Sequence, residues 1–187
     1  MELFFQTCPS RLIGVTGSDG KTTTTTIIAE FLKEAGRNVY VGGNIGKPLL
    51  PDVADMVEED FAVLELSSFQ LMTMEQSPHI AVVTNLSPNH LDYHHTFDDY
   101  FEAKALLFSK DYPARRVISI DGSWGRELLR RCTAAGDEVI TTGFDVSAQI
   151  HPVEVTYEAA RTKAVLEVRG TRIAVEYPLV GRFNVEN

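Results

Sequence analysis

The sequence predicts an α/β fold in which helices lie on both faces of a doubly wound, mostly parallel sheet. Strands and helices alternate through the first two-thirds of the 187 residues, beginning with a strand that runs into a glycine-rich turn and a helix. The runs at residues 61–64 (FAVL) and 80–84 (IAVVT) are almost continuously apolar. Strands that are buried on both faces have this composition, so these runs favour a parallel sheet covered by helices.

The N-terminal elements follow from their apolar periodicity. Residues 11–15 (RLIGV) form a short apolar strand, and residues 21–35 place their apolar side chains on one side at helical spacing. Gly36 ends this helix, because glycine readily adopts the left-handed conformation that commonly follows a helix. Residues 38–41 form the next strand, and we expect the pair Gly42-Gly43 to end it.

The C-terminal third adds a different kind of strand. Residues 117–120 and 139–142 are predicted strands of the parallel sheet, with a helix at 123–135 between them. From residue 150 onward, apolar and polar residues alternate with period two, which is typical of antiparallel strands. We place these strands at residues 150–157, 163–169 and 172–177, with Gly170-Thr171 as the last hairpin turn. The prediction is a small antiparallel β layer on the edge of the parallel sheet.

Composition and charge exclude several classes of protein. The chain has 26 acidic and 17 basic residues, a net charge of −9, and no basic cluster longer than two neighbours, so we expect no nucleic-acid partner. No apolar run approaches the roughly 20 residues of a membrane helix, and the first residues do not resemble a signal peptide. We therefore expect one cytoplasmic domain spanning 1–187, monomeric and free of membranes. Residues 181–187 show no helical pattern, and we expect them to lie at the boundary of a longer protein.

The strongest functional motif is the loop at residues 14–23 (GVTGSDGKTT), which follows a strand and opens a helix. Glycines allow backbone amides to turn toward an anion, the lysine reaches the phosphates, and the first threonine can ligate Mg²⁺. Five residues separate Gly14 from Gly20, whereas the general phosphate-loop pattern has four. The alternative is a strand–turn–helix connection with incidental glycines. The residues predicted to bind ATP are Gly17, Ser18, Asp19, Gly20, Lys21, Thr22 and Thr23.

Glu65 is a candidate metal ligand because it ends the apolar strand at residues 61–64. Ligands of α/β sheets bind beyond the carboxyl ends of the strands. A phosphate-bound Mg²⁺ needs one or two protein ligands, and Glu65 with Thr22 would supply them. The alternative is an ordinary surface acid at a strand end.

A histidine-rich segment and a lysine form the remaining candidates. Residues 84–95 (TNLSPNHLDYHH) follow a buried strand; zinc is disfavoured because no cysteine is near, and a solvated polar loop is the alternative. Thr96 and Asp99 resemble a capping box, and the helix after it places Lys104 within an apolar stripe. A lysine there either extends its amine to solvent or is desolvated with a lowered pKa. A desolvated amine can react with CO₂ to give a carbamate that ligates a metal.

Together these motifs resemble the Mur ligases, ATP-dependent enzymes that form peptide bonds in bacterial peptidoglycan synthesis. The loop at 14–23, the segment at 84–94 and Ala103-Lys104 are similar to the phosphate loop and to the histidine and lysine segments of that family. Residues 181–187 (GRFNVEN) resemble the asparagine motif that closes its central domain. Within the family, residues 42–46 and 65–71 resemble the corresponding segments of the member that adds D-glutamate to UDP-N-acetylmuramoyl-L-alanine.

The resemblance implies a set of roles. It implies ATP, two Mg²⁺ sites, and catalytic roles for Lys21, His90 and Lys104. Thr22 and Glu65 would hold one Mg²⁺, and His90 with carbamylated Lys104 the second. Residues implied to face the acceptor substrate are Asn44, Ser67 and His90, and Asn187 is implied to face the adenine.

The resemblance covers the central ATPase domain alone. The N-terminal UDP-binding domain and the C-terminal amino-acid-binding domain are expected to be absent from this chain, so the fragment itself is expected to be inactive. Residues 121–125 and 178–184 also resemble the member that adds a diamino acid, lysine or diaminopimelate. A folate polyglutamate ligase would share this architecture, but its loop usually has glycine where this chain has Thr22. An alternative from another class of protein is a nucleotide-binding module without catalytic activity.

Overall fold

The protein is described by a computed structural model that covers residues 1–87, 96–108 and 115–187. Nine strands form a single sheet in the order β2-β3-β1-β4-β5-β6-β7-β8-β9. The strands are β1 (Arg11–Thr16), β2 (Val39–Gly43), β3 (Phe61–Glu65), β4 (Ile80–Val83), β5 (Arg115–Ser119), β6 (Val139–Thr142), β7 (Ile150–Tyr157), β8 (Thr162–Val168) and β9 (Thr171–Tyr177). The helices are α1 (Glu2–Thr7), α2 (Lys21–Glu34), α3 (Ser68–Met72), α4 (Phe97–Ala105), α5 (Ser123–Ala134) and α6 (Arg182–Glu186), with 3₁₀ turns at Leu50–Asp55 and Leu106–Phe108.

The sheet topology confirms the predicted fold class. Strands β1 to β7 run parallel to their neighbours, and β7, β8 and β9 are antiparallel. From β1 the chain passes to β2 and β3 on one side, then crosses to β4, β5 and β6 on the other. Loops that leave on opposite sides open a crevice at the carboxyl end of β1, which is where α/β sheets bind ligands.

Two hydrophobic cores cover the two faces of the sheet. On one face, Val15 and Val63 pack with Ala29 of α2. On the other face, the core contains residues of α1, α3, α4 and α5 together with Leu64 and Ile118 of the sheet. The strand residues Val15, Val63 and Leu64 are completely buried, which confirms that the continuous apolar runs mark strands covered on both sides.

Three local predictions were wrong. The Gly42-Gly43 pair continues β2 rather than ending it, because Gly42 pairs with Leu64 and Gly43 with Glu65. A Cβ on Gly43 would lie 2.2 Å from the carbonyl oxygen of Glu65, so glycine is needed for this close approach. The last hairpin turns at Arg169-Gly170 rather than Gly170-Thr171, with φ values of 50° and 87°. Residues 181–187 contain the short helix α6, which the sequence pattern did not indicate.

Candidate functional site

The phosphate loop connects β1 to α2 and is shaped by two glycines. Gly17 and Gly20 have φ values of 151° and 78°, a region that other residues rarely adopt. A Cβ on Gly17 would meet the Thr84 hydroxyl at 2.0 Å, and one on Gly20 would meet the Asn187 side-chain oxygen at 1.9 Å. Asn187 therefore lies directly beside the loop, although α6 is distant from it in sequence.

Asn85 holds the outer part of this loop in place. Its backbone oxygen accepts from the amide of Ser18 at 3.0 Å, and its side-chain oxygen accepts from the amide of Asp19 at 3.0 Å. The hydroxyl of Thr84 donates to the carbonyl of Asp19 at 2.6 Å. Since these two loop amides are engaged, the amides directed at a ligand are those of the first turn of α2, which have no acceptor inside the helix.

Lys21 lies over the loop. Its ammonium donates to the carbonyl oxygens of Gly17 and Ser18 at 3.0 and 2.8 Å. The side chain starts at the first residue of α2 and folds back over the loop, so its positive charge adds to that of the helix N-terminus.

Thr22 and Glu65 come together across the loop and the sheet. The Thr22 hydroxyl donates to one oxygen of the Glu65 carboxylate at 2.5 Å, and the Asn44 amide nitrogen donates to the other at 3.0 Å. Glu65 is 2% exposed at the end of β3, so it is not the surface acid of the alternative interpretation. One hydroxyl and one carboxylate form a hard oxygen pair, which suits Mg²⁺ bound mainly through phosphates and water.

Lys104 reaches the same site from α4. The residue is 2% exposed, and its ammonium donates to the Thr16 hydroxyl at 3.2 Å and lies 4.6 Å from the centre of the Tyr100 ring. Burial lowers the pKa of Lys104 from 10.5 to about 7, the charge of Lys21 adds to this decrease, and Glu65 opposes it. The interpretation in which the amine extends to solvent is therefore wrong.

Tyr100 was not singled out by the sequence analysis as a site residue. Its buried hydroxyl donates to the Ser18 hydroxyl at 3.3 Å, and burial raises the pKa of Tyr100. The Ser18 hydroxyl in turn donates to the carbonyl of Ser87 at 2.8 Å. The position was detectable, because a residue four before Lys104 lies on the same face of the predicted helix.

Ser67 is the N-cap of α3. Its hydroxyl accepts from the Gln70 amide at 3.3 Å and the Gln70 side chain accepts from the Ser67 amide at 3.0 Å, which completes a capping box. The predicted capping box at Thr96 and Asp99 is confirmed at the start of α4.

Most of the predicted site residues line one cavity of about 350 Å³ at the carboxyl end of the sheet, whereas Gly17 and Asn187 lie outside its lining. Its lining includes Ser18, Asp19, Gly20, Lys21, Thr22, Thr23, Asn44, Glu65, Ser67 and Lys104, joined by Ser68, Phe69 and Tyr100. His90 lies outside the described residues, so its predicted place opposite Lys104 stays a prediction. Within 1–87, 96–108 and 115–187, no group of three or more His, Cys, Asp or Glu residues could hold a metal.

Comparison with known proteins identifies the family of this chain. Residues 15–187 match the family model described as "Mur ligase middle domain". The chain belongs to the Mur ligase middle domain family. Nothing in the described part of the chain forms a helix long and apolar enough to span a membrane.

The relatives of this Mur ligase middle domain are named consistently. One from Symbiobacterium thermophilum, named UDP-N-acetylmuramoylalanine–D-glutamate ligase, is 59% identical over 116 residues, which are 62% of this chain and 26% of the relative. Further curated relatives carry the same name. The chain thus spans about a quarter of the length of these relatives.

Solved structures agree on the fold. A UDP-N-acetylmuramoyl-L-alanyl-D-glutamate–2,6-diaminopimelate ligase superposes with a TM-score of 0.83 and 31% identity, covering 95% of this chain and 41% of that one. MurF from Thermotoga maritima in complex with ADP superposes with a TM-score of 0.73 and 23% identity, covering 92% and 41% of the two chains. At this lower identity the likeness concerns the fold alone.

Proposed function

We propose that this chain is the central ATP-binding domain of an ATP-dependent ligase that joins D-glutamate to UDP-N-acetylmuramoyl-L-alanine. The observation that carries the proposal is the convergence of Lys21, the Thr22–Glu65 pair and Lys104 in one cavity at the carboxyl end of the sheet. The family match supports the reaction class, and the names of the relatives support the amino acid. The UDP-binding and amino-acid-binding domains would lie outside residues 1–187, and the complete enzyme would act in the cytoplasm.

The proposed reaction has two steps. A carboxylate oxygen of the acceptor bonds to the γ-phosphorus of ATP, the bond to the β-phosphate oxygen breaks, and ADP leaves. The amine of D-glutamate then bonds to the acyl carbon, inorganic phosphate leaves, and the amine loses a proton. The domain supplies no covalent nucleophile, so its contribution is positioning and neutralisation of charge.

Each described residue has a part in that positioning. The first-turn amides of α2 and the ammonium of Lys21 would bind the phosphates. Thr22 and Glu65 would hold one Mg²⁺, which neutralises phosphate charge when it is bound. The side chain of Asn44 donates to the Glu65 carboxylate, which supports a role in orienting that group, and Asn44 is also proposed to contact the acceptor. Asn187, beside Gly20, is the proposed adenine contact.

Lys104 is proposed to act as a carbamate that holds a second Mg²⁺ together with His90. The amine is buried and faces the cavity that contains Glu65, which suits a group that is converted from a cation into an oxygen ligand. In the complete enzyme, Lys104→Ala should lower turnover by at least about 100-fold. Acetate should partly restore it, whereas Lys104→Arg should stay inactive because a guanidinium cannot ligate a metal.

The exposed Lys33→Ala variant is the matched control and should keep parental turnover, since Lys33 lies on α2 away from the cavity and pairs with Glu30. Near-parental turnover by Lys104→Arg would refute the carbamate role without affecting the rest of the proposal.

Release of ADP by the complete enzyme, with UDP-N-acetylmuramoyl-L-alanine as acceptor, tests which amino acid the enzyme adds. D-glutamate should stimulate release, and lysine and diaminopimelate should not. The names of the curated relatives, which are 50–59% identical over 62–74% of this chain, favour this outcome. Stimulation by a diamino acid, with its matching acceptor, would reassign the enzyme to the next step, and no stimulation by any of them would favour a non-catalytic nucleotide-binding module.

A further inference from the structure

The strand β9 leaves one edge of the sheet open. All seven of its residues pair with β8, and among the described residues no strand lies on its other side. Residues 171–174 and Glu176 are exposed, and the apolar residue Ile173 is 44% exposed. A free edge of this kind presents unpaired backbone donors and acceptors to another strand.

The turn before β9 predicts which backbone groups face this edge. Arg169 and Gly170 form a two-residue turn with positive φ at both positions, and Val168 is paired with Thr171. Such a turn is closed by a hydrogen bond between its flanking residues, and hydrogen-bonded positions alternate along an antiparallel strand. The amides of Arg172, Ala174 and Glu176 are therefore expected to face the open edge.

We propose that β9 pairs antiparallel with β9 of a second copy of this chain, in a register centred on Ala174. In this register Arg172 lies opposite Glu176 of the second copy, and the symmetry repeats the pair on the other side of the centre. Ile173 lies opposite Val175 on the other face of the sheet. All seven residues of each strand take part.

Charge selects this register over its neighbours. A two-fold axis perpendicular to the sheet pairs residues of the same face, so the possible centres are single residues. Centring on Arg172 or on Glu176 would place two like charges directly opposite each other, which is unfavourable. Centring on Ile173 or Val175 would oppose the charged residues with Ala174 and would pair only five of the seven residues.

The neighbouring strand extends the complementarity. On β8, Glu167 lies opposite Arg172 and Lys163 lies opposite Glu176, whose carboxylate also pairs with Arg161 at 2.6 Å within the chain. Across the proposed dimer this gives a row of alternating charge, from Glu167 and Arg172 of one copy to Glu176 and Lys163 of the other. Charged residues often keep sheet edges apart, but here their signs alternate across the edge.

The dimer should be weak and should leave the nucleotide site open. A seven-residue strand is about 24 Å long, and its pairing buries less than the roughly 1,200 Å² of a stable interface. In the sheet order, β9 lies six strands from β1, or about 29 Å at the usual spacing. The proposed dimer differs from the monomer that the sequence analysis predicts. The proposal does not depend on the proposed function.

Sedimentation velocity across about two orders of magnitude in protein concentration tests the pairing. The 187-residue chain should shift reversibly from monomer to dimer. Arg172→Glu and Glu176→Arg should each remain monomeric, since both pairs between positions 172 and 176 then have like charge. An equimolar mixture of the two variants should dimerise again, because each acidic pair then faces a basic pair.

Controls separate this result from misfolding. Arg37→Glu makes the same charge change at an exposed residue outside β9 and should dimerise like the parent. Ala174→Pro removes one outward amide, is tolerated at an edge strand, and should abolish the dimer while circular dichroism stays that of the parent. A parent chain that is monomeric at every concentration, or a mixture that fails to dimerise while both variants are folded, would overturn the proposal.

Discussion

Lys21 illustrates how a single residue is prepared for a ligand. Its ammonium donates to two loop carbonyls, and within residues 1–87, 96–108 and 115–187 it forms no ion pair that phosphate would have to break. Hydrogen bonds from a charged donor contribute about 1.5–3 kcal/mol. Lys21 is only half-buried, so we expect its removal to affect ligand binding more than folding.

Lys21→Ala should therefore weaken ATP binding by at least about tenfold and leave the fold intact. Isothermal titration calorimetry with MgATP measures the affinity, and circular dichroism reports the fold. Lys33→Ala, on the exposed side of the same helix, serves as the control. An affinity of Lys21→Ala equal to that of the parent would contradict the phosphate-loop assignment.

Lys104 links protonation to stability, because the native state buries an amine whose pKa is about 7 instead of 10.5. Below about pH 7 the amine is charged in both states, and folding bears the full cost of burying it. Between pH 7 and 10.5 the unfolded chain binds more protons, so the free energy of unfolding rises with pH. Lys104→Met should therefore be more stable than the parent by roughly 4 kcal/mol near pH 6.5, and this advantage should disappear toward pH 10.5.

Urea unfolding at several pH values in CO₂-free buffer measures this difference. Lys33→Met makes the same substitution at an exposed lysine and should show no such pH dependence. A stability difference for Lys104→Met that is constant from pH 6.5 to 10 would mean that the buried amine keeps an ordinary pKa.

Among the secondary-structure elements, α5 depends on a close approach to β5. A Cβ on Gly125 would lie 2.0 Å from the carbonyl oxygen of Ser119, so the helix can pack against the strand only where no side chain intervenes. Leu128 and Cys132 follow on the same buried side of α5 and join the core beneath it. This glycine therefore sets the distance between the helix and the sheet.

Gly125→Ala should lower the free energy of unfolding by about 2 kcal/mol or more, because α5 must shift to admit the methyl group. Gly122→Ala is the matched control, since a Cβ there has only an ordinary contact at 3.9 Å and should cost up to about 1 kcal/mol as a poorer N-cap. Chemical unfolding monitored at Trp124 measures both. Equal effects of the two substitutions would contradict the close-packing argument.

At the scale of the whole molecule, the described residues would form one side of the proposed reaction site. The cavity that contains Lys21, Glu65 and Lys104 is open, and these residues come from α2, β3 and α4. Its lining holds groups for phosphate and metal, whereas the acceptor and the incoming amine would be positioned by other domains of the complete enzyme. Correct positioning of the reactants can lower the activation free energy by about 7–11 kcal/mol.

The 187-residue chain alone should therefore bind ATP but form no peptide bond. A coupled assay for ADP, with D-glutamate and UDP-N-acetylmuramoyl-L-alanine, should show no release above that of ATP alone. The complete enzyme in the same assay is the control. Release by the isolated chain that depends on D-glutamate would mean that residues 1–187 contain more than the central domain.

The sequence by itself determined the elements and the motif that are encoded locally. Continuous apolar runs predicted β3 and β4, and glycines followed by Lys21 and Thr22 predicted the phosphate loop, because burial on both faces and phosphate binding each require a short, contiguous pattern. The position of Glu65 at a strand end also predicted that it shares a site with Thr22, and the structure brings the two side chains together. Only the tertiary structure decided the individual contacts of the later elements: the path of α4 brings Tyr100 to Ser18 and Lys104 to Thr16, and α6 brings Asn187 against Gly20. Such contacts depend on strand order and helix packing, which the spacing of residues along a chain does not specify.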